Sequence, residues 1–358
     1  MRGTRAVVDL AAIRDNYRHA LNLAPNSRTM PVVKANAYGH GMVEVANALA
    51  PLAPALAVAI LEEAVALRDA GLTLPILVLE GVRGADGIAE ARARDLTLML
   101  HEAEQIAALT ASGGPVKAWI KLDTGMHRLG FPATDLERVL DELERGRCLA
   151  DSPVVCTHLA CADEPGNERV AAQLERFSTA TQGLDLPTSI SNSAAILAWP
   201  NSHADWNRAG YMLYGDSPLL AEHPAAGPLR PAMRFEAELI ALRDVAPGET
   251  VGYGARWTAE RPAVIGTVAA GYGDGYPRHA PNGTPVLVNG RIAPLVGTVS
   301  MDMLTIDLSD HDGVAVGDTV ELWGDGLPIR RVAGAVGTIG YELMARVSER
   351  VPRVYANR

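Results

Sequence analysis

The chain has 358 residues, and 42 acidic against 32 basic side chains give it a formal net charge of −10 at pH 7. Because no basic block offsets this charge, the composition excludes a protein that holds nucleic acid or an anionic membrane by charge alone, and it favours a small dissolved substrate. The length favours two domains, and no apolar run approaches the roughly 20 residues that span a bilayer, so we expect no membrane partner.

The first predicted elements are a strand, AVVDL (residues 6–10), and a helix patterned by Leu10, Ile13, Tyr17 and Leu21. From Met30 onwards, eight short apolar or β-branched runs alternate with amphipathic, alanine-rich segments. The runs lie at residues 30–34, 55–59, 74–79, 96–100, 116–122, 153–159, 188–193 and 210–215.

This alternation favours a closed (β/α)8 barrel of the TIM type, because a sheet buried on both faces requires nearly continuous apolar strands. The helix-like stretches between the runs include residues 61–70, stopped by Gly71, and 135–145, stopped by Gly146. A doubly wound open sheet is the competing architecture.

The pattern of predicted secondary structure changes after Pro231. Strand-like runs at residues 233–242, 263–270, 284–297, 303–308 and 319–324 are separated by Pro-Gly, Asn-Gly and Asp-Gly turns, and helical patterning returns only near 333–347. We therefore predict an α/β chain with a barrel domain at residues 1–230 and a mainly-β domain at residues 231–358.

The cysteines and the amino-terminal sequence both bear on the cellular compartment. Cys148, Cys156 and Cys161 leave at least one thiol unpaired and form no disulfide framework, which indicates a reducing environment. The sequence MRGTRAVVDL lacks the apolar core of a signal peptide. We expect a cytoplasmic protein.

Polar side chains stand where several predicted barrel strands end, and reacting groups of such barrels lie at that face. One of them alone would more simply be structural or solvated, but five strand ends converge. The residues are Lys34, Lys121, Asp123, His158, Asn192, Ser193 and Arg208.

Lys34 stands in the segment PVVKANAYGHG. A partly desolvated amine has a lowered pKa and attacks carbonyl groups to form a Schiff base. The glycines at 39 and 41 let the backbone approach a ligand closely, and Tyr38 offers it a hydroxyl.

Nine motifs in order resemble the fold-type III, pyridoxal-phosphate-dependent alanine racemases over nearly the whole chain. They are VVKANAYGHG, IKLDTGMHRLG, THLACADE, SNSAAIL, DWNRAGYMLYG, VGYGARW, AAGYGDGYPR, VGTVSMDM and RVPR. The resemblance implies interconversion of L-alanine and D-alanine, with D-alanine supplied for peptidoglycan.

The resemblance also assigns two opposing bases. Lys34 matches the lysine that holds pyridoxal 5'-phosphate as an internal aldimine and serves the D face, and Tyr253 matches the base on the L face. Two bases are needed because one group cannot serve both sides of a planar carbanion. A tyrosine has a pKa near ~10, so it needs a cationic or hydrogen-bonding setting, which the matches of His158 and Arg208 form in the family.

Arg208 matches the arginine that faces the pyridine nitrogen of the cofactor. A guanidinium only donates, so that nitrogen stays unprotonated, which suits racemisation over other pyridoxal chemistry. Arg128 matches the arginine near the cofactor's phenolic oxygen and the substrate carboxylate.

Strand alternation places Lys121 on the same side as Trp119, inside the barrel. A buried ammonium beside an arginine is costly. The family resolves this by carbamylation of the matching lysine, which we expect here, while a lysine that reaches solvent is the alternative.

The remaining cofactor and substrate contacts are also implied by the resemblance. Tyr211 departs from the small aliphatic residue usual in the family, and Glu349 stands where some members carry a phosphate-binding tyrosine. The cofactor contacts are Tyr38, His158, Asn192, Ser193, Arg208, Gly210 and Tyr211, the substrate contacts are Arg128 and Met301, and the supporting residues are Asp302 and Tyr272, the latter at the entrance.

In the family, Tyr253 and Met301 reach the cofactor from the partner subunit, so the resemblance implies a head-to-tail homodimer with shared active sites. The histidines lack paired metal-ligand spacing, and we expect no metal.

Three alternatives compete with a racemase specific for alanine, and the residues present disfavour two of them. The first is a serine or broader-specificity racemase, since pocket size is not readable from sequence. A pyridoxal-phosphate homeostasis protein would lack the β-domain that carries Tyr253 and Met301. A decarboxylase of similar architecture would carry a glutamate in place of Arg208.

Overall fold

The structure is a computed structural model that describes residues 3–356. Within these residues, seventeen strands form two sheets, and ten α-helices pack against them. In chain order the strands are β1 (Arg5–Asp9), β2 (Arg28–Pro31), β3 (Leu56–Val58), β4 (Ile76–Val78), β5 (Thr97–Leu100), β6 (Lys117–Asp123), β7 (Phe131–Pro132), β8 (Val154–Cys156), β9 (Thr188–Ser189), β10 (Trp206–Ala209), β11 (Met233–Val245), β12 (Ala263–Val268), β13 (Pro285–Val288), β14 (Arg291–Pro294), β15 (Leu304–Asp307), β16 (Thr319–Trp323) and β17 (Arg353–Ala356). The helices are Leu10–Leu23, Met42–Leu49, Leu61–Asp69, Gly84–Ala93, Ala103–Ser112, Leu136–Arg145, Glu168–Thr181, Ser193–Ala198, Ile329–Val336 and Gly340–Ala345.

The first sheet is a parallel barrel. Eight strands follow one another in the order β2-β10-β9-β8-β6-β5-β4-β3, and the short strand β7 pairs with β6. A parallel bridge between Val32 and Ala57 joins the two ends, where the Val33 amide donates to the Ala57 carbonyl at 2.8 Å. The barrel prediction is confirmed, and the open doubly wound sheet is wrong.

Alternation along each strand divides the barrel core into two layers. Met30, Leu77, Met99, Trp119 and Cys156 belong to a cluster inside the barrel. Apolar neighbours in sequence, such as Val78, Ile120 and Val155, belong to the main core of the molecule. The short apolar runs are therefore buried on both faces, as the sequence indicates.

Two predicted strands lie elsewhere in the structure. The eighth barrel strand is Trp206–Ala209, and residues 211–214 form a 3₁₀ turn instead of the predicted strand at 210–215. Arg208 thus lies within the last barrel strand, whereas the run at 210–215 would have placed it before that strand. The first barrel strand ends at Pro31, so Lys34 follows it instead of ending it.

The second sheet is mainly antiparallel and has the order β14-β13-β16-β11-β1-β17, with β12 and β15 attached through β11. Strand β1 is antiparallel to β11 and parallel to β17, so the amino-terminal strand lies inside this sheet. Asp9 ends β1 and caps the next helix by accepting from the amides of Ala11 and Ala12. The domain boundary at 230/231 stays a prediction.

Within residues 3–356, no helix has the length and apolar character needed to cross a membrane.

Candidate active site

A cavity of about 720 Å³ occupies the end of the barrel where the strands finish and the loops begin. Its wall includes ten of the residues that the sequence analysis singled out. They are Lys34, Tyr38, Lys121, Arg128, His158, Asn192, Ser193, Arg208, Gly210 and Tyr211.

Lys34 opens a left-handed turn. The four residues that follow it, Ala35 to Tyr38, all have φ between 52° and 54°. This conformation costs about 1–2 kcal/mol for each residue with a Cβ, so the surroundings must hold it. Glu63 accepts from the Ala35 amide at 2.6 Å, and the Asn36 side chain accepts from the Met42 amide at 2.8 Å.

The amine of Lys34 is tuned by its surroundings. Burial lowers its pKa, and the positive charge of Arg128 lowers it further, while Glu80 and Glu63 oppose both effects. A lowered pKa increases the neutral, nucleophilic fraction of the amine near neutral pH. The site therefore favours attack on a carbonyl at this position.

Arg208 is 5% exposed and is anchored by neutral groups. Its Nη1 donates to the Ser189 hydroxyl at 2.5 Å, and its Nη2 donates to the carbonyls of Thr157 and Ile190 at 2.6 and 3.0 Å. Burial lowers its pKa, but a guanidinium keeps its charge in proteins and acts only as a donor. The fork holds a fixed positive group in the barrel.

His158 lies against this guanidinium. Its Nδ1 is 3.3 Å from Nη2 of Arg208, and its Nε2 is 3.4 Å from the Asn192 amide nitrogen. Burial, followed by the charges of Arg208 and Lys121, lowers the pKa of His158 well below its ordinary value. The imidazole is therefore neutral at physiological pH.

Lys121 points into the same cavity, as alternation with Trp119 predicts. Burial lowers its pKa, Arg208 and Arg128 add to this effect, and the Cys156 thiol opposes it. Four basic side chains, Lys34, Lys121, Arg128 and Arg208, thus share one wall. This arrangement favours an anionic ligand or an anionic modification of one member.

Ser193 and Gly210 form an oxygen-binding corner. The Ser193 hydroxyl oxygen accepts from the amides of Gly210 and Met212 at 2.8 and 3.3 Å, which leaves its own proton to donate. A Cβ on Gly210 would come within 2.8 Å of the Tyr38 hydroxyl oxygen, so only glycine leaves that space open. The hydroxyls of Ser193 and Tyr38 therefore converge on a space that Gly210 leaves open.

The side chain of Tyr211 extends toward the second domain. Its hydroxyl donates to Asp216 at 2.6 Å, and its ring stacks on Tyr341 with centroids 3.6 Å apart and planes 6° apart. Gly340 lies so close to that hydroxyl that any larger residue would collide with it. The ring of Tyr211 is thus part of the packing between the two domains.

Tyr341 is a cavity residue that the sequence analysis missed. Its ring centroid lies 6.1 Å from that of Tyr38, although more than 300 residues separate the two in sequence. The segment GYELM around it is not among the nine motifs that carry the resemblance. Only tertiary packing brings it to the site.

Four predicted residues lie on the second domain and away from the cavity wall. Tyr253 is 72% exposed, Met301 54% and Tyr272 38%, and Asp302 is also exposed. Arg350 holds this surface by contacting Asp302 at 2.8 Å and donating to the Met301 carbonyl at 3.3 Å. Within one chain, the predicted second base is therefore not at the cavity.

Among the described residues, no group of three or more histidine, cysteine, aspartate or glutamate side chains is placed to hold a metal ion.

Comparison with known proteins gives one consistent family. The model for the alanine racemase N-terminal domain matches residues 8–218, and that for the alanine racemase C-terminal domain matches residues 232–355. A biosynthetic alanine racemase from Pseudomonas aeruginosa is 50% identical over the full length of both chains, and a catabolic one from the same organism is 45% identical over 99% of each.

Solved structures agree with these matches. The biosynthetic alanine racemase from Pseudomonas aeruginosa superposes with a TM-score of 0.96, covering 99% of this chain and all of the other. An alanine racemase from Bartonella henselae, described with covalently bound pyridoxal phosphate, is 29% identical with a TM-score of 0.91 and covers 99% of this chain and all of the other. These matches span nearly every residue of both domains, and the chain belongs to the alanine racemase family.

Proposed function

We propose that this protein is an alanine racemase that interconverts L-alanine and D-alanine with pyridoxal 5'-phosphate and two opposing bases. The observation that carries the proposal is the cavity itself. It joins a lysine of lowered pKa, a buried arginine held by neutral acceptors and an oxygen-binding corner, in a chain of this family.

The residues present fit the cofactor on which this family depends. Lys34 offers an amine for its aldehyde, Tyr38 and Ser193 offer hydroxyl donors, and Gly210 leaves open the space that a Cβ would fill. When bound, pyridoxal 5'-phosphate acidifies the α-proton of an amino acid and spreads the resulting charge over its ring.

Each remaining residue then has a task. Lys34 holds the cofactor and exchanges a proton at Nζ on one face, and Tyr253 exchanges one at its hydroxyl on the other. Arg208 keeps a donor toward the ring nitrogen, and Arg128 orients the substrate carboxylate together with the backbone of Met301. Carbamylation of Lys121 would place an anion between the arginines, which relieves the crowding of like charges.

The supporting contacts complete the site. Tyr38, His158, Asn192, Ser193, Gly210 and the backbone of Tyr211 hold the cofactor. Tyr272 and Asp302 are exposed and away from the cavity of their own chain, and we assign them to the entrance of the cavity that the partner completes. The mainly hydrophobic side chains of Tyr253 and Met301 are exposed on the second domain. This exposure supports a homodimer in which each chain completes the partner's cavity.

A mixing experiment tests the shared site. Lys34→Ala and Tyr253→Phe protomers each lack one base, and a mixed dimer regains one intact site out of two. Random exchange of subunits should restore about a quarter of the parent activity, since half of the dimers are mixed. Strictly additive residual activities would show that both bases belong to one chain.

The activity itself is tested by α-proton exchange on both alanine enantiomers, with the absorbance of the lysine-bound cofactor recorded in parallel. Equal kcat/KM values for serine and alanine would support the broader-specificity alternative. We further infer that the enzyme supplies D-alanine for peptidoglycan from the cytoplasm, in keeping with its three unpaired cysteines. Rescue of a D-alanine-requiring bacterium tests that role.

A further inference from the structure

The strained turn after Lys34 needs an explanation for its stability. Four residues with side chains adopt the left-handed conformation in succession, and two of them, Ala37 and Tyr38, present their carbonyls to one buried histidine. His40 is fully buried, and its Nδ1 lies 3.0 Å from both carbonyl oxygens. Because both neighbours only accept, Nδ1 must carry the proton.

The other ring nitrogen has no such task. Within residues 3–356, Nε2 of His40 is buried and makes no hydrogen bond. Burial lowers the pKa of His40 to about 4, which keeps the ring neutral. An apolar side chain would avoid the unpaired nitrogen but would lose the donor at Nδ1, so that donor is the feature that only the imidazole supplies here.

Tyr214 extends the same support to the other side of Lys34. Its fully buried hydroxyl donates to the Val32 carbonyl at 3.0 Å, two residues before the lysine. Its ring lies 4.5 Å from that of His40 and 4.7 Å from that of Tyr38, measured between centroids. The backbone is therefore hydrogen-bonded on both sides of Lys34 by two side chains that contact each other.

We propose that His40 and Tyr214 are positioning residues, which hold the turn at residues 35–38 so that Lys34 and Tyr38 face the cavity. Neither touches the reacting atoms. This inference rests on the proposed role of Lys34 and Tyr38 in holding pyridoxal 5'-phosphate. It identifies the part of the fold that balances the backbone strain beside the amine.

The first test separates the donor from the bulk of the ring. In His40→Asn the side-chain amide nitrogen replaces Nδ1, whereas His40→Leu keeps volume without a donor. We expect His40→Leu to weaken pyridoxal 5'-phosphate binding about tenfold, the effect of one buried hydrogen bond, and His40→Asn to stay within about threefold. Hydrogen exchange at residues 33–41 should quicken in His40→Leu with or without the cofactor.

The second test uses two matched tyrosines. Tyr17 is also fully buried, and it donates at 2.9 Å to the carbonyl of Thr29, which belongs to the first barrel strand and lies outside residues 35–38. Tyr17→Phe and Tyr214→Phe each remove one such bond and should lower Tm similarly. Only Tyr214→Phe should weaken cofactor binding and quicken exchange in the turn.

Equal cofactor affinity in the Tyr17 and Tyr214 variants would overturn the proposal, as would parental affinity and exchange in His40→Leu. If His40→Leu does not fold, the comparison of Tyr214→Phe with Tyr17→Phe decides alone. A parent protein that binds no pyridoxal 5'-phosphate would instead refute the proposed function. Exchange at residues 33–41 is measured without the cofactor, so it still tests the positioning role.

Discussion

The cavity wall and the exposed surface of the second domain are built differently. At the wall, Arg208 and Ser193 are buried and each makes several hydrogen bonds to fixed groups. On the second domain, Tyr253 and Met301 extend into solvent, while Thr298 and Arg350 donate to their backbone carbonyls.

This difference shows how much of the proposed reaction one chain can prepare. The cofactor side is preorganised by burial and by short hydrogen bonds, which reduce the reorganisation needed in the reaction. The predicted opposing base, Tyr253, is exposed, and the Thr298 hydroxyl donates to its backbone carbonyl at 2.9 Å. We therefore expect substitutions at the cavity wall to lower the affinity for the cofactor. Substitutions on the exposed surface should lower only the rate of the reaction.

The largest effect is expected for Lys34→Ala. Loss of the amine should remove the covalent absorbance band of the cofactor and lower racemisation by at least ~10³-fold, because both attachment and one base are lost. A matched control is Lys117→Ala, since Lys117 lies on the same barrel but pairs with Asp95 at its outer edge, with Nζ and Oδ1 2.7 Å apart. Covalent cofactor in Lys34→Ala would refute the assignment.

Tyr253→Phe should lower α-proton exchange on L-alanine by about 10²- to 10⁴-fold, the usual contribution of a general base. Cofactor affinity and Tm should match the parent, because the hydroxyl lies on a side chain exposed on its own chain and the variant keeps the aromatic ring. Exchange on the D side should fall less. Loss of the cofactor in this variant would show that Tyr253 acts in cofactor binding, as the residues of the cavity wall do.

The buried histidines also predict how the free energy of unfolding depends on pH. His40 has a pKa of about 4 in the folded protein, below the 6.5 of an unfolded histidine, so the unfolded state binds more protons between these values. The contribution of His40 to the free energy of unfolding should be complete above pH 6.5. It should fall by on the order of 3 kcal/mol as the pH drops to 4. His158 acts in the same direction.

Urea unfolding curves recorded between pH 4 and 7.5 measure this dependence. His40→Asn should show a smaller pH slope than the parent, whatever its stability at pH 7. An unchanged slope would show that His40 is not buried as a neutral group.

The smallest effect is expected for Tyr211→Phe. Removing the hydroxyl breaks its bond to Asp216 and leaves the stack on Tyr341, so the free energy of unfolding should fall by about 1 kcal/mol. Cofactor affinity should not change if the contact from this position is made by the backbone. A tenfold weaker affinity would show that domain packing at Tyr211 sets the geometry of the phosphate corner.

Much of the fold is readable from the sequence because burial repeats along it. Seven of the eight predicted barrel runs overlap a barrel strand, since short apolar runs between helices have few alternatives. The run at 210–215 was wrong because its residues are also apolar, and only the turn at Tyr211 to Tyr214 shows that they pack as a 3₁₀ segment. The amino-terminal strand was found, but its partner strands β11 and β17 lie more than 220 residues away.

The sequence by itself determined the strand and helix alternation, the family and the chemical types at the site, because these follow from local pattern and from motifs in order. Only the tertiary structure decided that Tyr341 lines the cavity, that His40 and Tyr214 flank Lys34, and that Tyr253 lies outside it. The physical reason is that burial, left-handed backbone and contacts between distant segments depend on all neighbours at once, and no short stretch of sequence contains them.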